Sequence, residues 1–187
     1  AGMGVWTQRA CLCGTGAGKT ICGCYEDIRW AQAYPGSVGY IFSPSYPMMR
    51  RNIFPTLETR LLLGCPFPFT QNPYVQGFSR GDMRLDWKNG SQWWFVSLED
   101  PEKAEGPNVD YGHIDEARLI LPAPKFQTAW LTIQRRLRGS GRSLVAFDPG
   151  VWITTTPDAP GSDLFNALEN PETKSPDCRV YRWSIFD

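Results

Sequence analysis

Eight residues carry the strongest chemical signal in this chain: Cys13-Gly14-Thr15-Gly16-Ala17-Gly18-Lys19-Thr20. Backbone N–H groups cradle phosphate oxygens only where side chains stay clear, and Gly14, Gly16 and Gly18 clear them. Lys19 is then placed to reach the β and γ phosphates of a nucleotide, and the Thr20 hydroxyl to hold Mg²⁺. A helix starting near Gly18 adds the positive end of its dipole to the same anion site. The usual pattern is G-x-x-x-x-G-K-[ST], and Cys13 stands where its first glycine is expected. The bland alternative is a glycine-rich turn with a chance Lys-Thr. It leaves unexplained why the loop falls between a strand and a helix, where phosphate binding requires it.

A second element is Val109-Asp110-Tyr111-Gly112-His113-Ile114-Asp115-Glu116-Ala117. An acidic residue at the tip of a buried strand beside such a loop holds magnesium directly or through water. A following Glu orients and deprotonates the attacking water. Asp115 takes the first role and Glu116 the second. An isolated Asp-Glu pair is more often solvated surface; downstream of a phosphate loop, at the end of a short strand, it completes a nucleotide hydrolase. Asp110 is a rival metal ligand that falls earlier in the strand. His113, the sole histidine, reads as a packed strand residue rather than a catalyst.

These groups need elements to position them. Arg9–Cys13 reads as a buried strand leading into the loop, and Thr20–Ala33 as a helix stopped by Pro35-Gly36. Ser37–Ser43 is rich in β-formers. Pro47–Leu63 reads as a helix broken near Pro55, and residues 64–80 as loop. Met83–Trp87 and Gln92–Leu98 flank an Asn89-Gly90 turn and form a hairpin. His113–Asp115 ends another strand, and Ala129–Arg138 is a basic helix. Leu144–Thr155 holds one or two strands interrupted at Asp148-Pro149-Gly150. Strands alternating with helices predict an α/β fold, with a mostly parallel central sheet flanked by helices.

The chain has 187 residues, enough for one domain with a core and a site. Nineteen basic residues balance nineteen acidic ones, so any nucleic-acid contact must come from a local patch or from several subunits together. Cys11, Cys13, Cys22 and Cys24 flank the loop as two C-x-C pairs. That is not the usual zinc spacing, and they read as small, buried, reduced residues. No 18-residue apolar run exists, so no membrane span is expected. The chain opens on Ala1 and stops after Ile185-Phe186-Asp187, which reads as a piece of something longer.

The order of segments resembles the large terminase subunit of tailed bacteriophages, the motor that packages DNA into the capsid. The resemblance runs through Pro35-Gly36-Ser37, Ile41–Tyr46 and Arg50–Phe54. It continues through Asn89-Gly90-Ser91, Phe95–Lys103, Gly106-Pro107-Asn108 and Asp115-Glu116-Ala117. Trp152-Ile153-Thr154-Thr155-Thr156-Pro157 is similar to the family's coupling motif. The resemblance implies a RecA-like P-loop NTPase of the ASCE class, spanning 1–187 as one ATPase domain without the family's C-terminal nuclease. It implies ATP and Mg²⁺ as cofactors, with Gly14, Thr15, Gly16, Ala17, Gly18, Lys19 and Thr20 on the phosphates. Thr155 and Thr156 lie at the γ-phosphate end, and Gln8 is a candidate adenine contact. Implied partners are double-stranded DNA, the portal protein, the small terminase subunit and further copies in a ring, all in the host cytoplasm and none in a membrane.

Two departures bear on mechanism. Many terminases carry a basic residue within the P-loop, where this chain has Thr15, and Arg before the glycine preceding the acidic strand, where it has Glu105. Transition-state charge needs a cation, and Arg135, Arg136, Arg138, Arg80 and Lys103 are the candidates, with Arg138 assigned to the catalytic set. A solvated helix face is the alternative for the arginines of the basic helix. Two other readings compete: a helicase-like DNA-dependent ATPase, suggested by Asp115-Glu116-Ala117-Arg118, and a non-enzymatic nucleotide-binding module, against which intact Lys19, Thr20, Asp115 and Glu116 argue.

Overall fold

The computed structural model describes residues 8–60, 68–99, 106–120, 123–146, 148–170, 172 and 178–183. Eight strands form one sheet in the order β3-β4-β5-β2-β6-β7-β1-β8. They are β1 Gln8–Cys13, β2 Val38–Ser43, β3 Val75–Ser79, β4 Arg84–Trp87, β5 Gln92–Ser97, β6 Tyr111–Asp115, β7 Gly150–Thr155 and β8 Cys178–Trp183. From β5 to β8 along the sheet every neighbouring pair is parallel. Only the β3–β4 and β4–β5 pairs run antiparallel. The mostly parallel sheet expected from the sequence is therefore present.

Parallel strands covered on both faces are apolar throughout, and β2, β6 and β7 are buried at every residue. Alternation divides their side chains between two cores. Val38, Tyr40, Phe42, Ile114, Val151 and Ile153 face Phe126, Ala129 and Ile133 of α3 (Ala123–Arg136), with Leu164 and Leu168 of α4 (Asp163–Leu168). Ile41, Tyr111 and Trp152 face the other side, against Ile28, Trp30 and Ala31 of α1 (Lys19–Ala33) and Met49, Ile53 and Leu57 of α2 (Tyr46–Arg60).

Several elements differ from the sequence reading. Helix α2 runs unbroken through Pro55. Proline removes only the N–H that would reach the Arg51 carbonyl, and Arg51 is exposed, so solvent is at hand for that group. Residues 61–63 of the expected helix lie outside the described residues. The expected loop contains a 3-10 turn at Phe69–Gln71 and the strand β3. A register shift between Val75 and Gly77 broke the alternation that would have revealed that strand. Helix α3 begins at Ala123 and ends at Arg136, and of the one or two strands expected over Leu144–Thr155 the described residues form one, β7.

Helix α1 is fastened to β1 by charge as well as packing. Glu26 accepts from Arg9 at 2.6 Å, from Arg29 at 2.7 Å and from the Trp30 indole at 2.9 Å. The Arg9 guanidinium lies 5.7 Å from the Trp30 ring and 5.6 Å from the Trp152 ring. Burial alone would raise the Glu26 carboxyl, but these donors and charges outweigh it and hold its pKa down at about 2. A depressed carboxylate stabilises the fold above its unfolded pKa, and that contribution is lost as pH falls through the folded value. Replacing Glu26 by Gln is therefore expected to cost up to about 3 kcal/mol near pH 7. In urea unfolding, the gap between wild type and variant should close as pH drops from about 5 towards 2; a gap independent of pH would reject the account.

Candidate active site

Strand β1 delivers the chain to the loop, and the loop opens α1. Cys13, at the first position of the phosphate-loop pattern, is the last residue of β1 and is buried beside β8. A strand residue there needs no glycine conformation, which accounts for the departure from the usual pattern. Gly16 and Gly18 do need one: their φ angles are 81° and 79°, and a side chain at either would be strained. Gly14, Thr15 and Gly16 are exposed at the loop apex. Lys19 is buried and donates from Nζ to the Gly14 carbonyl at 2.9 Å.

Strand β6 ends at Asp115, and β7 lies between it and β1. The Thr20 hydroxyl donates to Asp115 Oδ1 at 3.1 Å across 95 residues of sequence. Thr154 of β7 donates to the same oxygen at 2.8 Å. Asp115 is 1% exposed. Hard oxygens from a hydroxyl and a carboxylate side by side suit Mg²⁺, which keeps several waters and needs few protein ligands. Among the described residues no group of three or more His, Cys, Asp or Glu side chains comes together.

Glu116 turns the chain out of the sheet with φ 52° and ψ 45°, a left-handed conformation that costs a non-glycine residue about 1 kcal/mol. Its N–H bonds the Thr154 carbonyl at 2.7 Å. The next turn is held from the same strand, because the Arg118 N–H donates to Thr155 Oγ1 at 3.0 Å. Burial, then the Asp115 charge, push the Glu116 carboxyl up, and Lys19 and Arg118 pull it partly back, leaving it raised. Arg118 is an exposed cation of the same chain on the turn that follows Glu116. The sequence reading passed over it, although its place two residues beyond Glu116 was the available signal.

Other expected residues lie elsewhere. Gln8 begins β1, five residues before the loop, roughly 17 Å away along an extended strand. It is not brought to the phosphates. Asp110 is not brought to the metal position: it accepts from the N–H groups of Val38 and Ser140 at 2.7 Å each and from the Ser140 hydroxyl at 2.5 Å, bracing the opposite end of β6. The end of α3 sits at that same opposite edge, where Arg136 and Gly139 exchange backbone bonds with Val109. Arg135, Arg136 and Arg138 are therefore remote from Lys19 of their own chain. Arg80 follows β3, about six strand positions from β1, which is roughly 25–30 Å. Lys103 and Glu105 lie outside the described residues. Of the cysteines, Cys13 and Cys24 are buried as expected but Cys22 is exposed.

Comparison with known proteins decides the family. Residues 10–167 match the model for "Terminase large subunit, T4likevirus-type, N-terminal". The chain belongs to this terminase family. The terminase domain is an ATPase domain and has its part in ATP-driven DNA packaging. No curated protein matches it. Solved structures share its fold at low identity. The large terminase of a thermophilic bacteriophage superposes with a TM-score of 0.72 at 18% identity, over 98% of this chain and 42% of that one. The same protein in complex with ATP-gamma-S gives 0.70 at 16%, over 96% and 40%. The ATPase domain of the Thermus phage P74-26 large terminase gives 0.58 at 17%, over 97% and 77%. The terminase domain thus spans about two fifths of the first of these proteins, and nothing in these comparisons favours a helicase. No described helix of the terminase domain is long and apolar enough to cross a membrane.

The two carboxylates of β6 and its lead-in separate by experiment. Asp110→Ala strands one buried and one part-buried N–H group and should destabilise the domain by about 1–3 kcal/mol, with the Mg²⁺ concentration for half-maximal hydrolysis unmoved. A shift in that Mg²⁺ dependence would return Asp110 to the site.

Proposed function

We propose that this terminase domain hydrolyses ATP at Lys19, Thr20, Asp115 and Glu116 to drive double-stranded DNA into a viral procapsid. The observation that carries the reading is the 3.1 Å contact between Thr20 and Asp115, which brings a hydroxyl and a carboxylate 95 residues apart in sequence to one point beside the loop. Loop N–H groups from Gly14 to Thr20 hold the β and γ phosphates, and Lys19 leaves the Gly14 carbonyl to bind them. Thr20 and Asp115 hold Mg²⁺, which when bound neutralises charge on the phosphates. Glu116, its carboxyl raised from the ordinary value by burial and the Asp115 charge, orients the attacking water and takes its proton. Thr155 ties the turn that carries Glu116 to β7, which makes the coupling strand a direct neighbour of the base. The portal protein, the small terminase subunit and a ring of copies are the partners of this reading, in the host cytoplasm.

Glu116→Gln keeps the shape and removes the proton acceptor, so ATP should still bind within about threefold while turnover falls roughly 10²–10⁴-fold. Lys19→Ala should lower turnover by a similar factor, with nucleotide binding weakened as well. Near wild-type hydrolysis by Glu116→Gln, measured by phosphate release, would remove Glu116 from the mechanism.

The transition-state cation has two sources in this reading. Arg118 stands in the same chain, and Arg135, Arg136 and Arg138 reach a nucleotide only from a neighbouring subunit. A donor in trans is worth roughly 10³–10⁵ in rate in other nucleotide hydrolases. Specific activity is expected to rise with protein concentration and on adding portal and DNA. Mixing Arg138→Ala with Lys19→Ala protein should restore part of the activity that each lacks. Full turnover that ignores concentration, and that is lost in Arg118→Ala, would place the cation in cis.

A further inference from the structure

Behind Asp115 runs a line of buried polar side chains that the hydrolytic scheme does not use. Asp27 Oδ2 lies 2.7 Å from His113 Nδ1, and His113 Nε2 lies 2.9 Å from Thr154 Oγ1. Thr154 in turn donates to Asp115 Oδ1 at 2.8 Å, and Asp115 meets Thr20. Asp27, His113 and Thr154 are all 0% exposed. The line crosses three elements: α1 supplies Asp27, β6 supplies His113, and β7 supplies Thr154.

Donor and acceptor counting gives the line a direction. A hydroxyl owns one hydrogen, and that of Thr154 points to Asp115. Its lone pair therefore accepts from His113, so Nε2 carries the hydrogen. The remaining nitrogen, Nδ1, is held by Asp27. With Nε2–H behind it, the Thr154 hydroxyl has a single favourable orientation, and it is towards Asp115.

A satisfied core histidine is the plainer explanation, and two features go beyond it. The line ends on the carboxylate one residue before Glu116, not on a backbone group. Helix α1 also gives up a side chain to admit the ring. A Cβ at Gly23 would sit 2.3 Å from His113 Nε2 and 3.0 Å from Thr154 Cγ2. Glycine inside a helix costs about 1 kcal/mol relative to alanine, so the position is kept open at the expense of helix stability.

We infer that His113 is a positioning residue for the metal ligand. Anchored by Asp27, it sets the Thr154 hydroxyl and through it the Asp115 carboxylate opposite Thr20. Thr20, Gly23 and Asp27 share one face of α1 at i, i+3 and i+7, so the helix that binds phosphate also sets the geometry of the acidic strand. The inference rests on the reading of Thr20 and Asp115 as the Mg²⁺ site.

The test is Mn²⁺ binding in the presence of ATP-gamma-S, followed by electron paramagnetic resonance, alongside kcat and KM. Outer partners of a metal ligand are worth roughly 10–100-fold in metal affinity. Thr154→Val and His113→Leu should each weaken Mn²⁺ by about tenfold or more. They should lower kcat while the KM for ATP at saturating metal moves less than about threefold. Thr154→Ser restores a hydroxyl and His113→Gln a donor, and both should recover most of the affinity. The double variant should be no worse than Thr154→Val alone, since both act on one line. Thermal unfolding reports folding separately; if His113→Leu fails to fold, Thr154→Val carries the test. Unchanged Mn²⁺ affinity in the folded variants, or fully additive losses, would overturn the positioning role. Wild-type protein that binds no Mn²⁺ with the nucleotide would instead overturn the underlying site.

Discussion

The Thr20–Asp115 contact is the constraint around which the chain is arranged. It joins a helix N-terminus to a strand C-terminus, and both must arrive at one edge of the sheet. Parallel pairing achieves this, because β1 and β6 run the same way and the register through β7 sets Asp115 level with Cys11, two residues before β1 ends. Strand β7 between them then becomes part of the site. Its register sets Thr154 opposite Asp115 and hands the Thr154 carbonyl to the Glu116 N–H. A strand that pairs with both sides of an active site transmits displacement from either.

Two devices hold α1 down while its first turn binds a ligand. On one flank Glu26, Arg9 and Arg29 form an ion cluster over the Trp30 and Trp152 rings. Beneath it, Tyr111 stacks on Trp152 at 5.4 Å with their planes 14° apart, and Trp30 tilts against both. Aromatic area supplies most of the attachment and the charges fix its angle. The loop apex, by contrast, carries only exposed small residues, so the part that closes on phosphate is the part least attached.

How far the sequence could be read followed from where the signals lay. The phosphate loop and the acidic pair were legible because each function demands residue types at fixed spacing. The Asn89-Gly90 hairpin and the strand–loop–helix at β1–α1 were legible for the same reason. Strand β3 was hidden by its register shift, and the unbroken α2 by the assumption that proline always stops a helix. Spacing does not state that a strand or helix carries its two ends to opposite ends of the sheet, which sets Gln8 at the far end of β1 from the loop and Arg138 at the far end of β6 from Asp115. His113 was rightly read as packed, but its partners were invisible, since Asp27 and Thr154 come from elements 86 and 41 residues away. Gly23, an unneeded glycine inside a helix one turn past the loop, was the available hint.

The Lys19–Gly14 bond gives the resting loop a chemical preference of its own. The Lys19 ammonium donates to a neutral acceptor, the Gly14 carbonyl. Binding is therefore an exchange reaction, and its driving force is the difference between a phosphate oxygen and a peptide oxygen as acceptor. Charged acceptors win that exchange by roughly a factor of two in bond strength.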